Sequence, residues 1–287
     1  IDQGDGNTVA IPNTTPDAVT LQRALRDMVR AGCRAVALEV SSQALKLGRV
    51  AGTTFDTCMF TNLFPDHIGP GEHPDFADYA ACKKRLFVDY PTQAVLCSID
   101  DPFAATLLAD TRAPIRLTCS MHTDADFTAR EIVRFRDAQT LGWSFLLQEN
   151  GAAPVPCRLP HLGDENDSNA LLAIACAAAR FGIAPTAAAK TLPDVRISGR
   201  SETVGLPNGA LGVIDYAHNG VSLRRLLTEL RASCRGRLIV LFGSVGERTK
   251  LRRRELGAVA AELADLAVLT SDNPGTEDPA AIIRDIA

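Results

Sequence analysis

Two polar residues lie at positions where a parallel α/β sheet would bind a ligand. Glu39 lies at the end of the apolar run 35–40 and is followed by Ser41, and His67 comes shortly after a second apolar run, 58–63. Ligands of parallel sheets bind beyond the carboxyl ends of the strands. A carboxylate and an imidazole at two such ends could hold a divalent cation against a nucleotide phosphate, because Mg²⁺ sites need few protein ligands. Each residue also has a plain structural interpretation, Glu39 as a buried ion-pair partner and His67 as part of a turn.

Three segments in the second half of the chain repeat this arrangement, each at the end of an apolar run. They read Asp-Tyr-Ala-His at 215–218, Gly-Ser-Val-Gly at 243–246 and Ser-Asp-Asn-Pro at 271–274. A Gly-x-x-Gly turn lets the backbone approach a ligand closely, although it is a weak signal by itself. The phosphate-binding pattern G-x-x-x-x-G-K-[ST] does not occur in the sequence. A phosphate loop would therefore precede Ile1, unless the polypeptide does not use ATP.

The elements that must position these groups alternate between strand-length apolar runs and helical patterns, which predicts βαβ units with a parallel sheet. The predicted strands are 35–40, 58–63, 94–99, 211–216, 237–242 and 267–270, and the predicted helices are 21–30, 76–88, 102–109, 169–181, 222–232 and 253–263. Short alternating segments between 115 and 147 predict a small antiparallel region, and 193–199 has the composition of a linker. The fold class is therefore α/β, with two domains, 1–195 and 196–287, and the boundary in this linker.

The composition is that of a globular protein and excludes several classes of partner. The chain has 287 residues, of which 46% are hydrophobic and 22% charged, with a formal net charge of −4. Since it has no basic stripe, nucleic acid is not an expected partner, and no apolar stretch approaches the ~20 residues of a membrane span. Eight cysteines without a C-x-x-C pair indicate a reducing cytosol rather than disulfides or a zinc site. The chain begins at Ile1 and ends in a helical pattern, so we interpret it as a fragment, and we expect a monomer.

Ten short motifs occur in the order in which Mur ligases carry them. They are Thr14-Thr15-Pro16, Glu39-Val-Ser-Ser-Gln43, Arg49-Val50, Thr61-Asn62, Asp66-His67-Ile68-Gly69, Tyr79-Ala-Ala-Cys-Lys83, Asn166-x-x-Asn169, Gly199-Arg200, Asp215-Tyr-Ala-His218 and Asp272-Asn-Pro274. Each motif is short, but ten in register over 14–287 are specific together. The chain thus resembles the Mur ligase family, and within it the UDP-N-acetylmuramoyl-tripeptide synthetases.

The resemblance implies an enzyme, an ATP-dependent acid–amino-acid ligase of peptidoglycan precursor synthesis in the cytoplasm. Its partners would be UDP-MurNAc-L-Ala-D-Glu and a free diamino acid, and its cofactors ATP and Mg²⁺. The first domain would be a central parallel-sheet ATPase-type domain without its phosphate-loop strand, and the second a partial Rossmann-like domain that binds the amino acid. The family's phosphate loop, its N-terminal domain and the end of its C-terminal domain lie outside these 287 residues. We therefore expect this fragment alone to be inactive.

The resemblance also assigns roles to individual residues. The muramoyl dipeptide would be bound by Thr14, Thr15, Ser41 and Arg49, and the catalytic magnesium ligands would be Glu39, His67 and carbamylated Lys83. The nucleotide would be contacted by Asn62, Asn166, Arg200 and Asp215. The incoming amino acid would be bound by Arg253, Asp272 and Asn273. Carbamylation would turn the ammonium of Lys83 into a carboxylate that can help to place the cation. From spacing alone, Lys83 would be a surface lysine on an amphipathic helix.

The residue after Asp272-Asn-Pro274 bears on the choice of amino acid. Family members that take meso-diaminopimelate commonly have arginine there, whose guanidinium can pair with the second carboxylate of that amino acid, whereas this chain has Gly275. Losing such a pair costs about 2–3 kcal/mol, or one to two orders of magnitude in discrimination. The sequence therefore favours an L-lysine-type substrate. meso-Diaminopimelate stays open as the alternative, because Arg253 could serve the main carboxylate of either amino acid.

Two other functions compete with this one. A folylpolyglutamate-type or cyanophycin-type ligase is disfavoured by Thr14-Thr15-Pro16 and Glu39-Val-Ser-Ser, which match muramoyl-peptide binding in the tripeptide synthetases. A non-catalytic Mur-like scaffold is disfavoured by the joint presence of Glu39, His67, Lys83, Arg200 and Asp215. An intact phosphate loop upstream would support the enzyme, and a degenerate loop would support the scaffold.

Overall fold

The computed structural model describes residues 1–2, 4, 6, 8–11, 13–65, 68–69, 72–247 and 250–287, with the backbone alone for 164–167. Its helices are α1 (Ala18–Arg30), α2 (Ser42–Lys46), α3 (Phe76–Val88), α4 (Phe103–Asp110), α5 (Asp164–Phe181), α6 (Pro185–Ala189), α7 (Gly220–Ser233), α8 (Leu251–Leu263) and α9 (Pro279–Ile286). Its strands are β1 (Phe55–Phe60), β2 (Thr92–Ser98), β3 (Ile115–Ser120), β4 (Phe127–Arg136), β5 (Leu141–Glu149), β6 (Val155–Leu159), β7 (Glu202–Gly205), β8 (Leu211–Ile214), β9 (Ile239–Phe242) and β10 (Leu266–Leu269). The chain divides into two compact units: 1–128 with 149–151 and 171–182, and 129–148 with 152–170 and 183–287.

The first unit is built on parallel strands. β1 pairs with β2, β2 with β3, and β3 with the first residues of β4, all in parallel. β2 is buried from Ala94 to Ser98, as expected of a central strand covered on both faces. Helices α3 and α4 pack on it through Phe87 and Leu107, which share a core with Val95. The predicted α/β fold with a parallel sheet is confirmed here.

The strand predicted at 35–40 is wrong. Residues 33–41 form no β-ladder with any strand of the described chain, and Val36 is 45% exposed. The backbone bonds to a side chain instead: Thr15 Oγ1 donates to Glu39 O at 2.9 Å and accepts from Ser41 N at 3.0 Å. An apolar run becomes a strand only where a neighbouring strand takes up its N–H and C=O groups. The composition of the run cannot guarantee that neighbour.

The antiparallel region predicted from 115 begins too early in the sequence. β3 pairs with both β2 and β4 in parallel, whereas β5, which follows β4 in the same sheet, pairs antiparallel with β6. Alternating polar and apolar residues show that a strand has one exposed face, but they do not fix its direction. The domain boundary predicted at 195/196 falls inside the second compact unit and stays a prediction.

The second unit combines the β5–β6 hairpin with a smaller α/β arrangement. β9 and β10 pair in parallel, and β7 and β8 pair antiparallel. Helices α7 and α8 pack through Leu223, Leu227 and Leu256, and α7 begins at a capping box in which Asn219 and Ser222 bond reciprocally. The strand and helix alternation predicted from 211 to 270 is confirmed. None of the helices in the described ranges has the length and apolarity needed to cross a membrane.

Candidate functional site

Three of the residues predicted to bind the muramoyl dipeptide form one hydrogen-bonded cluster in the first unit. The fully buried Thr15 hydroxyl joins Glu39 O to Ser41 N. The Arg49 guanidinium donates to Thr15 O at 3.0 Å, and Ser41 also caps helix α2. Thr14 and the Glu39 side chain are exposed beside this cluster. These hydrogen bonds fix the backbone that carries the Thr14 hydroxyl and the Glu39 carboxylate, and a binding site requires such rigidly held polar groups.

Replacing Thr15 with valine tests whether its hydroxyl holds the cluster. Valine has nearly the same shape but cannot donate to Glu39 O or accept from Ser41 N, so we expect the free energy of unfolding to fall by about 1–2 kcal/mol. Urea unfolding of the 287-residue chain measures this change. The matched control is Thr14→Val at an exposed position, which should change stability by less than about 0.5 kcal/mol. Equal stabilities of the two variants would contradict the role of the buried hydroxyl.

The predicted magnesium ligands are Glu39, His67 and Lys83, and His67 lies outside the described residues. Glu39 is exposed and makes no ion pair within the described part of the chain, so the interpretation as a buried ion-pair partner does not hold. Lys83 is half-buried on α3, with Nζ 5.4 Å from the centroid of the Tyr79 ring. An exposed carboxylate with no competing cation fits a metal ligand. The grouping of the three residues around one cation stays a prediction.

Two predicted nucleotide-binding residues lie at the ends of elements. Asn62 is half-buried two residues after the end of β1. Asn166 falls in the first turn of α5, where only the backbone is described. The amide groups in the first turn of a helix attract phosphate, so the position of Asn166 suits the predicted role, and the nucleotide contacts of both residues stay a prediction.

A polar network that no sequence motif indicates joins helices α2 and α3. The buried His73 places Nε2 2.9 Å from Ser42 Oγ and Nδ1 2.6 Å from Asp78 Oδ2, and Lys46 Nζ lies 2.8 Å from the same carboxylate oxygen. The hydrogen bond from Lys46, followed by that from His73, holds the pKa of Asp78 below its ordinary value. The order Ser–His–Asp has the connectivity of a hydrolase triad, but Ser42 is only 4% exposed. The network therefore links two helices and does not present a nucleophile.

In the second unit, Asp215 holds the turn that carries Arg200. Asp215 Oδ2 accepts from Ser201 N at 2.8 Å and from Ser201 Oγ at 3.2 Å, and Oδ1 accepts from Ala217 N at 2.8 Å. The Arg200 guanidinium lies 4.6 Å from the centroid of the Tyr216 ring. Ser201 has a φ of 46°, a conformation that persists only where its surroundings hold it. Asp215 thus fixes the residue that follows Arg200, and the contact of both residues with a nucleotide stays a prediction.

Glu229 is a second functional candidate that the sequence did not indicate. Its buried carboxylate accepts from Trp143 Nε1 on β5 and from Gly163 N, both at 3.0 Å. Gly163 directly precedes α5, whose first turn contains Asn166. Glu229 therefore positions the start of α5 from helix α7. No sequence pattern marks a single acidic residue on an amphipathic helix for this task.

Replacing Glu229 with alanine is expected to lower the free energy of unfolding by about 2 kcal/mol, because two donors lose a charged acceptor. Trp143 is the single tryptophan of the chain, so its emission reports this contact directly and should shift to longer wavelength as water reaches the indole. Glu262→Ala is the control, since Glu262 forms an exposed pair with Arg224 that contributes about 1 kcal/mol or less. Unchanged emission of the Glu229 variant would speak against the contact.

Arg253, predicted to receive the incoming amino acid, is fully buried in α8. NH1 donates to Asp285 Oδ2 and NH2 donates to Glu277 Oε1, each at 2.8 Å. Nε has no hydrogen-bond partner among the described residues. The hydrogen bond from Arg253, with a smaller contribution from the amide of Glu247, lowers the pKa of Glu277 to about 2. In this conformation the guanidinium stabilises the protein's own carboxylates, and direct contact with an amino acid stays a prediction.

The glycine turn and the Asp-Asn-Pro turn predicted as ligand-binding segments pack directly against each other. Gly246 N donates to Asn273 O at 3.1 Å, and a Cβ at Gly246 would lie 1.8 Å from Pro274 O. Asn273 has a φ of 40°, and its side chain donates to Asp272 Oδ1 at 3.0 Å. Glycine is needed at 246 because any side chain would collide with backbone. The structure thus brings together two segments that the sequence proposed separately.

Comparisons with known proteins agree with this architecture. The family model for the Mur ligase middle domain matches residues 3–177, and that for the Mur ligase, glutamate ligase domain matches 199–287. A relative from Geobacter metallireducens, named UDP-N-acetylmuramoyl-L-alanyl-D-glutamate–2,6-diaminopimelate ligase, is 38% identical over 287 residues, covering 97% of this chain and 54% of the relative. A relative of the same name from Thermosynechococcus vestitus is 39% identical over 285 residues, covering 98% and 56%.

Solved structures give the same result. A structure of UDP-N-acetylmuramoyl-L-alanyl-D-glutamate–2,6-diaminopimelate ligase superposes with a TM-score of 0.71 at 30% identity, covering 96% of this chain and 57% of that one. MurF from Acinetobacter baumannii shares the fold, with a TM-score of 0.61 at 20% identity over 81% of this chain and 49% of that one. The chain spans about half the length of the curated relatives that it matches. Because the middle-domain model alone matches more than half of the residues, the chain belongs to the Mur ligase family.

Proposed function

We propose that this chain forms the middle domain and part of the C-terminal domain of an ATP-dependent ligase that joins a diamino acid to UDP-MurNAc-L-Ala-D-Glu. The observation that carries the proposal is the cluster of Thr15, Ser41 and Arg49 beside the exposed Glu39. These are positions at which the resemblance places the muramoyl dipeptide and a magnesium ion. The domains would divide near residue 195, and the whole protein would act in the cytoplasm as a monomer.

The chemistry would proceed through an acyl phosphate. ATP phosphorylates the side-chain carboxylate of D-Glu, the amine of the incoming amino acid attacks the acyl carbon, and the tetrahedral intermediate releases phosphate. Each species is anionic, so a magnesium ion held by Glu39, His67 and carbamylated Lys83 would supply charge stabilisation. Arg49 and Ser41 would orient the dipeptide, and Arg200 would approach the nucleotide from the turn that Asp215 holds. No covalent nucleophile is required, and burial raises the pKa values of the thiols of Cys58, Cys97 and Cys157 to about 11, 12 and 11.

The relatives favour meso-diaminopimelate as the amino acid. Gly275 favours L-lysine as the first candidate, which the comparisons do not confirm, whereas the relatives carry the name of the diaminopimelate-adding ligase. We therefore propose meso-diaminopimelate and keep L-lysine as the second candidate. The observation that favours L-lysine is the carboxylate of Glu247, which lies against Gly275 where an arginine would be needed.

The deciding experiment measures phosphate release by these residues extended to the length of the relatives. ATP, Mg²⁺ and UDP-MurNAc-L-Ala-D-Glu are supplied, with meso-diaminopimelate, L-lysine or L-ornithine added separately. Release that depends on one of these amino acids supports the ligase. Absence of release with every amino acid would favour the scaffold, and release with L-glutamate would favour a folylpolyglutamate-type enzyme. The 287 residues alone should turn over no ATP.

A further inference from the structure

We propose that His73, Asp78 and Cys82 form a binding site for one thiophilic divalent cation of the Zn²⁺ class, separate from the predicted magnesium set. One ring nitrogen of His73, one carboxylate oxygen of Asp78 and Cys82 Sγ all lie within 4.8 Å of one another. Imidazole, carboxylate and thiolate are the ligand types that zinc takes in proteins. The lack of a C-x-x-C pair leads us to expect no zinc site from the sequence, but that spacing carries no information on a site that uses a single cysteine.

The elements place the three donors on one side of the first turns of α3. Asp78 and Cys82 are four residues apart on this helix and therefore share a face. His73 stands just before the helix, where its backbone forms a bridge with Ile68. His73 and Cys82 are buried, while the Asp78 side chain is 34% exposed. Three protein ligands with access for one water form an open tetrahedral site.

Ser42 already provides the outer support that a zinc-binding histidine needs. Metal-bound histidines donate their other ring N–H to an oxygen acceptor, which fixes the tautomer and the ring orientation. His73 Nδ1 faces Asp78, and Nε2 lies 2.9 Å from Ser42 Oγ. Nδ1 is therefore the ligand atom, and Nε2–H donates to the serine. The histidine is held in a binding orientation before any cation arrives.

Lys46 shows that this carboxylate attracts positive charge. Its ammonium lies 2.8 Å from Asp78 Oδ2, and its side chain is 39% exposed, so it can turn into water. On binding, the cation displaces this ammonium from Asp78, and the thiol proton of Cys82 passes to solvent. One carboxylate and one thiolate then offset the two charges of the ion. Because thiolate ligands select Zn²⁺ and Co²⁺ over Mg²⁺, this site would not exchange with the magnesium site.

The test is a titration of the reduced 287-residue chain with Co²⁺, followed by displacement with Zn²⁺. Thiolate ligation gives an intense sulfur-to-cobalt absorption in the near ultraviolet, which we expect at one equivalent. Cys82→Ser should abolish this absorption, and Ser42→Ala should weaken binding by about 10–100-fold as a lost outer partner does. Cys176→Ser is the matched control, since Cys176 is also a buried cysteine on a helix, and it should retain the full signal.

Circular dichroism shows whether Cys82→Ser alters the fold. In case it does, Asp78→Asn provides an independent test of cation binding. The asparagine keeps the shape of the side chain but loses its charge, so Co²⁺ affinity should fall at least tenfold. The proposal is overturned if the sulfur-to-cobalt absorption survives in Cys82→Ser, or if no signal appears at one equivalent of Co²⁺. Displacement of Co²⁺ by millimolar Mg²⁺ would also overturn it, because a thiolate site should reject Mg²⁺.

Discussion

Replacing the buried Arg253 with methionine is expected to lower the free energy of unfolding of the second unit by about 3 kcal/mol. Breaking a buried ion pair costs about 3–5 kcal/mol, since the remaining charges lose their partner. The lower end applies because the side chains of Glu277 and Asp285 are 27% and 39% exposed and can recruit water. Urea unfolding followed by the emission of Trp143, which lies in the same unit, measures the loss.

Two variants on the same helix make this test specific. Arg254→Met removes an exposed charge one residue away and should change stability by less than about 0.5 kcal/mol. Arg253→Lys keeps the charge but cannot donate to both carboxylates from a planar fork, so its loss should fall between those of the two methionine variants. If Arg253→Met proved as stable as Arg254→Met, the ion pairs of the buried arginine would not stabilise this unit.

The same contact sets a pH dependence. The pKa of Glu277 is about 2, below its ordinary value, chiefly because Arg253 donates to it. A depressed carboxyl pKa stabilises the fold above the ordinary pKa of about 4.3, and this contribution disappears as the pH falls toward 2. The wild-type chain should therefore lose stability over that interval, and Arg253→Met should show a flatter profile. Parallel profiles for the two proteins would contradict the assignment.

Much of the fold was predictable because the helices carry their own local signals. The bounds predicted for α3 are those observed, since Asp75 caps the helix and an apolar face runs through Tyr79, Cys82 and Phe87. Strands β2 and β9 followed from apolar runs of strand length. The run 35–40 shows the limit of this reasoning. A strand is defined by its partner, and an apolar sequence does not reveal whether a partner lies beside it.

The candidate site was predicted through motifs, whereas its supporting contacts were not. The motifs named Thr15, Ser41 and Arg49 together, and the structure joins these three residues by hydrogen bonds, while their binding of a substrate stays a prediction. Neither the Ser42–His73–Asp78 network nor the Glu229–Trp143 contact has a sequence signature. Such contacts join residues 5 to 86 positions apart, and only the folded chain decides which side chains meet. Arg253 illustrates the reverse case, since its motif position gave no sign that its guanidinium is buried against two carboxylates.

Gly275→Arg is expected to raise the preference for meso-diaminopimelate over L-lysine by about 10–100-fold, measured as the ratio of kcat/KM values in the protein extended to the length of its relatives. If the distal end of the amino acid approaches this turn, the new guanidinium pairs with the second carboxylate of diaminopimelate. A charge-assisted pair of this kind contributes about 2–3 kcal/mol. This expectation rests on the proposed function and holds whichever amino acid the unaltered protein prefers.

Glu247 makes the prediction sharper, because it fixes a negative charge beside position 275. Its carboxylate accepts hydrogen bonds from Thr276 Oγ1 at 2.8 Å and from Thr276 N at 3.1 Å. These two bonds hold the pKa of Glu247 below its ordinary value, and the bond from the hydroxyl contributes more than the bond from the amide. A Cβ at Gly275 would lie 2.8 Å from Glu247 Cδ. Such a charge repels a distal carboxylate and attracts a distal ammonium. Glu247→Gln should therefore shift the ratio toward diaminopimelate, by up to about tenfold.

Backbone strain has to be separated from charge in this comparison. Gly275 has a φ of 60°, where a side chain costs about 1–2 kcal/mol, and arginine could also pair with Glu247 instead of the substrate. Gly275→Ala carries the strain without the charge, so it should lower stability but leave the ratio unchanged. Combining Gly275→Arg with Glu247→Gln frees the guanidinium and should give the largest shift. If the double variant kept the ratio of the unaltered protein, the distal group would bind elsewhere, and Gly275 would carry no information about the amino acid.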